Sequence, residues 1–442
     1  MIKRNSKVCV IGIWHLGCVV SACLADLGYS VVGVDKDSNK VNNLSSGVPP
    51  LFEPGLQELL TKNIKSKRLS YTTDLSHALK DSSYVLITFD TPVDENDEVD
   101  LSEIFAISRG LSRYLEDESV IIVSSQVPVG TCEQIKSVIK QSNPSVNFDI
   151  AYSPENLRLG QAIEVFKNPD RIVIGADSPV TLDKVEALFD VIPAPKLRMN
   201  LRTAEMTKHA LNAFLATSVS FANEIANLCD ELGADALKVA TALRLDTRIG
   251  EKARLLPGLG FAGGTLARDL KVLKNLGSKL GCETYLINGV LKVNEQQNRL
   301  VVRKLKKVYG SIKGLTIGIL GLTYKAGTST LRRSAALEII KDLISEGAVV
   351  KAHDPKADLA EVQLHKEFEF SSDPYAVAKG TDALVIVTEW PEFKNLDFDL
   401  IKSIMKKPVL IDAKNMLDKE QVVGKGFLYY GVGRGVDYGI EK

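Results

Sequence analysis

The sequence of 442 residues lacks any cysteine pair at CxxC spacing; its six cysteines, Cys9, Cys18, Cys23, Cys132, Cys229 and Cys282, are scattered along the chain. That argues against a disulfide framework, points to no metal site, and fits a reducing, cytoplasmic compartment. An excess of one charge is also missing. The 55 basic and 55 acidic residues cancel to a formal charge of zero. Neither nucleic acid nor an anionic membrane is then expected as the main partner, although a local basic pocket for phosphate stays open. No apolar stretch reaches the roughly 18 residues of a membrane span. The start, MIKRNSKVCVIGI, is basic, but its apolar run is short and broken by glycine, so no secretory signal is expected. What is present is a globular composition, 45% hydrophobic and 25% charged, over a length that predicts two to four domains of about 100–200 residues each.

Short β-branched runs alternate with helical stretches in the first part of the chain. Val8–Gly12, Ser30–Asp35, Ser83–Phe89, Ser119–Ser125, Phe148–Ser153 and Arg171–Gly175 read as buried strands. Nearly continuous apolar runs separated by helices predict a parallel, doubly wound sheet. Lys196–Leu232 then contains neither glycine nor proline. Leu211, Phe214, Leu215, Val219, Ala222, Ile225 and Leu228 recur there at helical spacing, which predicts one long amphipathic helix. Such a helix needs a partner surface for its apolar stripe, and a homodimer is expected. A further helical stretch covers roughly Leu266–Tyr309, and after Gly314 the alternation returns in TIGILG, AVVKAHDP, ALVIVTEW, PVLIDAK and FLYYGVG. The predicted architecture is α/β: two Rossmann-like doubly wound domains, 1–195 and 310–442, joined by a central helical domain, 196–309, that contains the long helix.

Gly12-Ile13-Trp14-His15-Leu16-Gly17 follows the first strand and opens a helix, and Asp35 ends the second strand 18 residues after Gly17. A tight turn, a helix amino terminus and a carboxylate for ribose hydroxyls form the context of a dinucleotide site. Asp35 favours NAD over NADP, because a carboxylate repels a 2′-phosphate. One element departs from the fingerprint: Trp14 stands where a glycine normally lets the backbone approach pyrophosphate.

Further motifs follow in order: EPGL (Glu53–Leu56), the Thr91-Pro92 turn, VPVGT (Val127–Thr131), SPENLRLG (Ser153–Gly160), AEMTKHALNAF (Ala204–Phe214), DTRIG (Asp246–Gly250) and PGLGFAGG (Pro257–Gly264). Later come GLTYKAGTSTLRRS (Gly321–Ser334), HDP (His353–Pro355), TEWPEF (Thr388–Phe393) and GVGR (Gly431–Arg434). Over nearly its whole length the chain thereby resembles the UDP-glucose/GDP-mannose dehydrogenase family. The resemblance implies an amino-terminal NAD domain, a central dimerisation domain and a carboxyl-terminal nucleotide-sugar domain. It also implies oxidation of the C6 alcohol of a nucleotide sugar to a carboxylate, with two NAD consumed.

Glu205, Lys208 and Asn212 recur at three- and four-residue spacing, on one helix face. The resemblance places Lys208 and Asn212 at the sugar C6, where an ammonium in a water-poor pocket stabilises a developing oxyanion. It makes Asp269 the carboxylate that handles a proton through water together with the lysine, and Glu155 an acid/base candidate. Gly260, Gly263 and Gly264 belong to a loop whose backbone can approach a phosphate or sugar. By resemblance Arg248 and Lys325 contact substrate, Arg332 faces sugar and cofactor, and Thr91-Pro92 lies in the cofactor site.

Four departures from the family pattern bear on the chemistry. Aligned without a gap, GGSCFPKD meets Ala262-Gly263-Gly264-Thr265-Leu266-Ala267-Arg268-Asp269, so Thr265 stands at the cysteine position. In STVPVGT the threonine two residues before proline is here Gln126. PEFLREG becomes Pro154-Glu155-Asn156-Leu157-Arg158-Leu159-Gly160, which keeps the first acid and replaces the second by Leu159. Trp14 is the fourth. A free cysteine has a pKa of about 8.5 and is a few per cent thiolate near neutrality; a threonine hydroxyl has no such anion. The leading reading is an NAD-linked enzyme acting on a UDP-sugar without the thioester-dependent second oxidation. A non-catalytic NAD- or nucleotide-sugar-binding partner of an active relative is the alternative. A hydroxyacid dehydrogenase of similar layout is disfavoured by the second α/β domain.

Overall fold

The computed structural model describes residues 6–92, 99–154, 156–261, 265–331, 334–361 and 367–435. The chain divides into two compact units, Met1–Ala210 and Leu211–Lys442.

The first unit is built on eight strands: β1 (Lys7–Ile11), β2 (Ser30–Val34), β3 (Leu69–Thr72), β4 (Ser82–Ile87), β5 (Ser119–Val123), β6 (Phe148–Tyr152), β7 (Ile172–Gly175) and β8 (Lys196–Met199). Their order is β3-β2-β1-β4-β5-β6-β7-β8, which reverses direction between β1 and β4. Alternate side chains of the central strands enter opposite cores. Val8, Val10 and Val31 pack with Cys18, Val19 and Ala22 of the helix His15–Asp26, whereas Cys9, Ile11, Val32, Val85 and Ile121 pack on the other face. Each such fully buried aliphatic side chain stabilises the unit by roughly 1.5–3 kcal/mol. That two-sided burial is why these strands are apolar throughout.

The expectation of an all-parallel sheet is corrected at one junction. β6 and β7 are antiparallel, paired through Tyr152 and Gly175, while β7 and β8 are parallel to each other. Apolar runs report burial on both faces but carry no information about strand direction. The segment Lys196–Met199, expected to begin the long helix, is instead edge strand β8, and the helix runs Leu201–Leu232.

In the second unit, Leu211–Leu232 is followed by the helices Ala236–Leu245, Leu266–Leu280, Tyr285–Asn298 and Leu300–Tyr309. The helical stretch expected over roughly 266–309 consists of the last three of these helices. The first of them stops at Gly281, whose φ of +69° is the left-handed conformation that favours glycine. The second sheet contains β9 (Thr316–Leu320), β10 (Val349–His353), β11 (Glu369–Phe370), β12 (Ala383–Ile386), β13 (Val409–Asp412) and β14 (Leu428–Gly431). All its pairings are parallel, in the order β11-β10-β9-β12-β13-β14. Numbered from its own first strand this is 3-2-1-4-5-6, the order of the first six strands of the other sheet. The α/β class with two Rossmann-like sheets and a helical middle is therefore as expected.

The long helix departs from its sequence pattern. Within the second unit its buried positions are small or polar, among them Asn212, Ala216, Ser220, Asn223 and Ala226. Phe214, Phe221 and Leu228 are 70%, 47% and 55% exposed. These three recur every seven residues and so share one face. Among the described residues no helix is long and apolar enough to cross a membrane.

Candidate functional site

In an open sheet of this order, ligands meet the carboxyl ends of the strands where the order reverses. Gly12 follows β1 there with φ +88°, and a Cβ on it would lie 2.7 Å from the Phe89 ring. A Cβ on Gly17 would lie 2.1 Å from the Gly12 carbonyl oxygen. Both glycines are required by the turn and by the approach of helix to strand. Trp14 is different. Its φ of −74° and ψ of −152° suit any residue, so the backbone does not demand glycine at that position. Its indole meets the His15 ring edge-on, with centroids 6.4 Å apart.

His15 opens the helix, and its Nε2 lies 3.1 Å from Oε2 of Glu53, which also accepts from Gly160 N and Oε1 from Ala162 N. Burial pushes the Glu53 carboxyl up. The hydrogen bonds from His15, Ala162 and Gly160 outweigh that and leave it below its ordinary value. Glu53 of the EPGL motif thus ties the glycine turn to the SPENLRLG segment, a role not evident from the motif itself.

Asp35 is buried at the end of β2. Its Oδ1 accepts from Asp37 N at 3.0 Å and its Oδ2 from Lys40 Nζ at 3.3 Å. Beyond β4, Thr91 Oγ1 donates to the Gln126 carbonyl at 2.6 Å, and the Pro92 carbonyl accepts from Asp100 N at 2.8 Å. Gly12, Trp14, Gly17, Asp35, Thr91 and Pro92 therefore all sit at the strand ends of one sheet. The glycine turn, the helix amino terminus behind it and the carboxylate at β2 fit a dinucleotide.

The helix Leu201–Leu232 supplies the next layer. Glu205 is fully buried and accepts from Gly130 N at 2.6 Å and Cys132 N at 2.9 Å. It closes the amino terminus of the helix Thr131–Ser142 and so belongs to the scaffold, although its spacing put it on one face with Lys208 and Asn212. His209 Nε2 donates to the Val127 carbonyl at 2.9 Å, a second clamp on VPVGT that spacing did not reveal. Lys208 is 8% exposed, and its Nζ donates to Asn156 Oδ1 at 3.3 Å. Glu155 lies outside the described residues.

In the second unit, Asn212 Nδ2 donates to Asp269 Oδ2 at 2.5 Å, and Asp269 is fully buried in the first turn of the helix Leu266–Leu280. Thr265 is the exposed N-cap residue of that helix, and its side chain makes no capping hydrogen bond. The glycine-rich loop is held by carboxamides. Asn294 both accepts from Phe261 N at 2.7 Å and donates to its carbonyl at 3.1 Å. Asn223 accepts from Gly258 N at 2.9 Å, and Gln297 donates to the Gly258 carbonyl at 2.7 Å. A Cβ on Gly260 would lie 2.3 Å from Asn298 Oδ1, so glycine is needed there for packing. Gly263 and Gly264 lie outside the described residues. Arg248 is exposed and forms a two-pronged pair with Asp246, at 3.0 and 2.7 Å.

Around the second sheet, Lys325 follows β9. Glu389 follows β12 and pairs with Lys414, beyond β13, at 3.0 Å. Burial pushes the Glu389 carboxyl up, and the Lys414 and Lys325 cations pull it further down, to below its ordinary value. Asp354, at the end of β10, accepts through Oδ2 from Leu322 N, Thr323 N, Thr323 Oγ1 and Trp390 Nε1, at 2.7 to 3.0 Å. Arg332 lies outside the described residues. No cluster of three or more His, Cys, Asp or Glu side chains is placed to hold a metal among the described residues.

Three family models match the chain: the NAD binding domain of the UDP-glucose/GDP-mannose dehydrogenase family over residues 6–192, its central domain over 202–296 and its UDP binding domain over 318–419. The chain is 40% identical over 437 residues to the UDP-glucose 6-dehydrogenase TuaD of Bacillus subtilis, covering 98% of this chain and 95% of that protein. It is 38% identical to the UDP-glucose 6-dehydrogenase of Rhizobium meliloti, over 97% of this chain and 99% of that one. Among solved structures it superposes on a UDP-glucose dehydrogenase from Pyrobaculum islandicum with a TM-score of 0.90 at 32% identity, covering 98% of this chain and 99% of the other. A UDP-D-ManNAc dehydrogenase from Pyrococcus horikoshii gives a TM-score of 0.87 at 26% identity, covering 97% of this chain and 99% of the other.

Proposed function

Since the chain belongs to the UDP-glucose/GDP-mannose dehydrogenase family, we propose that this NAD-dependent nucleotide-sugar dehydrogenase oxidises the C6 alcohol of a UDP-sugar and releases product without a thioester step. UDP-glucose is the first substrate to test, as the relatives' names indicate. We assign residues 1–195 to NAD binding, 196–309 to the helical middle and 310–442 to nucleotide-sugar binding.

The proposed roles follow from side-chain chemistry. The Lys208 ammonium, 8% exposed, stabilises negative charge as the C6 hydroxyl loses its proton. Asn212 orients the Asp269 carboxylate by the amide hydrogen bond, and that carboxylate holds the water that takes the proton. Glu155 is the remaining acid/base candidate. Arg248, Lys325, Gly260, Gly263 and Gly264 are assigned to substrate, and Arg332 to the cofactor. Bound NAD would accept the hydride, and the Gly12 turn would hold its pyrophosphate.

The observation that carries the missing second step is Thr265. A thiol at a helix amino terminus is activated toward its thiolate, but a hydroxyl in the same place has no usable anion near neutral pH. Removal of hydride and proton from the alcohol gives the aldehyde or its hydrate, with one NADH per sugar. The deciding experiment is mass spectrometry of product, with NADH counted, after incubation with NAD and a panel of nucleotide sugars. Two NADH per sugar with a uronate product overturns the proposal. A complete absence of turnover, with NAD and UDP-sugar both bound, favours the non-catalytic partner, a reading motivated by Trp14, Gln126, Leu159 and Thr265 together.

We further assign the protein to the cytoplasm, as its cysteine usage supports: five of its six cysteines are buried and unbridged. A homodimer is supported by the exposed face of Phe214, Phe221 and Leu228.

A further inference from the structure

We propose that Asn156 is a positioning residue for Lys208, a role that rests on the reading of Lys208 as the group that meets substrate. Asn156 Oδ1 accepts from Lys208 Nζ at 3.3 Å. The family pattern has phenylalanine at this position, which offers a cation no hydrogen-bond acceptor in the plane of its side chain.

The segment that presents the carboxamide is fastened at both ends. Ser153 N donates to the Val123 carbonyl at 3.0 Å, and Ser153 Oγ donates to the Val173 carbonyl at 3.0 Å. At the other end Gly160 N and Ala162 N donate to the buried Glu53 carboxylate, at 2.9 and 2.8 Å. The lysine comes from a helix whose own first turns are fixed by Glu205 and His209. Anchored residues on either side thus accompany the contact of acceptor and ammonium.

A lysine side chain has four rotatable bonds, and an acceptor on a fixed strut selects among its conformers. The same segment replaces an acid of the family pattern by Leu159 and gains the Asn156 acceptor. One neutral dipole thereby takes up part of the work of orienting the cation while adding no negative charge beside it.

The test uses the full-length protein. Lys208 acylation by an amine-reactive ester is followed by peptide mass spectrometry, which reads the contact whether or not the protein turns over. Asn156→Leu is expected to raise the acylation rate of Lys208 at least threefold and to lower kcat about tenfold, with KM for the sugar nucleotide and Kd for NAD unchanged within twofold. Asn156→Asp, which keeps an oxygen acceptor of the same reach, is expected to restore slow acylation and most of kcat. If leucine lowers Tm, Asn156→Ala serves for the same comparison. Unchanged acylation in the leucine and alanine variants overturns the proposal. So does an aspartate variant that behaves like leucine, or a rise in KM at constant kcat. The underlying reading fails separately: Lys208→Ala then retains turnover, while the acylation ratio still decides whether Asn156 holds the lysine.

Discussion

Asn212 Nδ2 donates to Asp269 Oδ2 across 2.5 Å, and both side chains are buried. The pair isolates a charge for experiment. In Asp269→Asn two carboxamides still hydrogen-bond, so the change in folding stability should stay within about 1 kcal/mol. The carboxylate proposed to hold the water is lost, and kcat should fall about 10²- to 10⁴-fold. Rapid-mix measurement of the first NADH formed, beside chemical denaturation, checks both halves. Near wild-type turnover removes Asp269 from the mechanism.

Thr265 and Lys208 should differ sharply on truncation. Thr265 is exposed, and its side chain caps nothing, so Thr265→Ala should keep NADH formation within about threefold, the range of a residue outside the reacting set. Lys208→Ala should abolish it. Loss of turnover in the alanine variant at 265 would show that the hydroxyl takes part in the chemistry.

Cofactor choice should follow Asp35. Calorimetric titration is expected to show NAD binding at least tenfold tighter than NADP, because the carboxylate at the end of β2 repels a 2′-phosphate. The chain has two tryptophans, so Trp390→Phe leaves Trp14 as the sole indole emitter. Its emission should then be quenched by NADH in proportion to binding. Equal or tighter NADP binding refutes the assignment; failure of both cofactors implicates the Trp14 indole, and Trp14→Gly should restore binding.

The exposed face of Phe214, Phe221 and Leu228 should close a dimer. Covering one such side chain stabilises an interface by roughly 1.5–3 kcal/mol before the costs of association. Light scattering at micromolar concentration should give twice the chain mass, and Phe221→Asp should shift it toward the monomer. A wild-type monomer that ignores dilution and this substitution refutes it.

Glu53 gives a pH signature. Its folded carboxyl titrates below its ordinary value of 4.5. Its hydrogen bonds therefore contribute stability that is present above the unfolded value and lost as pH falls through the folded one. Glu53→Gln should cost about 1–2 kcal/mol at pH 7, and the difference from wild type should shrink below about pH 4. A difference that is constant from pH 7 to 3 would place the effect in packing.

The central strands were legible because burial on both faces leaves only apolar side chains. β3, β8 and β11 were not: LSYT and KLRM carry polar side chains on edge strands, and Glu369–Phe370 is two residues long. The long helix was legible as a helix but not in its facing. Hydropathy put Phe214 and Leu228 inside, yet Asn212, Ser220 and Asn223 occupy the buried positions because each finds a partner, in Asp269, the Val290 carbonyl and Gly258. The same limit applies to the site. Spacing aligned Glu205 with Lys208 and Asn212, but only its donors at Gly130 and Cys132 show that Glu205 belongs to the scaffold. Asn156 was not legible as a neighbour of Lys208, because nothing in the spacing of residues 52 apart reports their contact.

Asp354 distinguishes the turn after β9 from the turn after β1. At the reversal point of the second sheet, where a dinucleotide fold would offer backbone amides to pyrophosphate, the amides of Leu322 and Thr323 already point at this carboxylate. The sheet carries its own resident anion, and an incoming phosphate would meet like charge in place of open donors. Repetition of the 3-2-1-4-5-6 order therefore does not double the cofactor count: each chain should take up one dinucleotide, and the phosphates of a nucleotide sugar must find their cations farther along the rim.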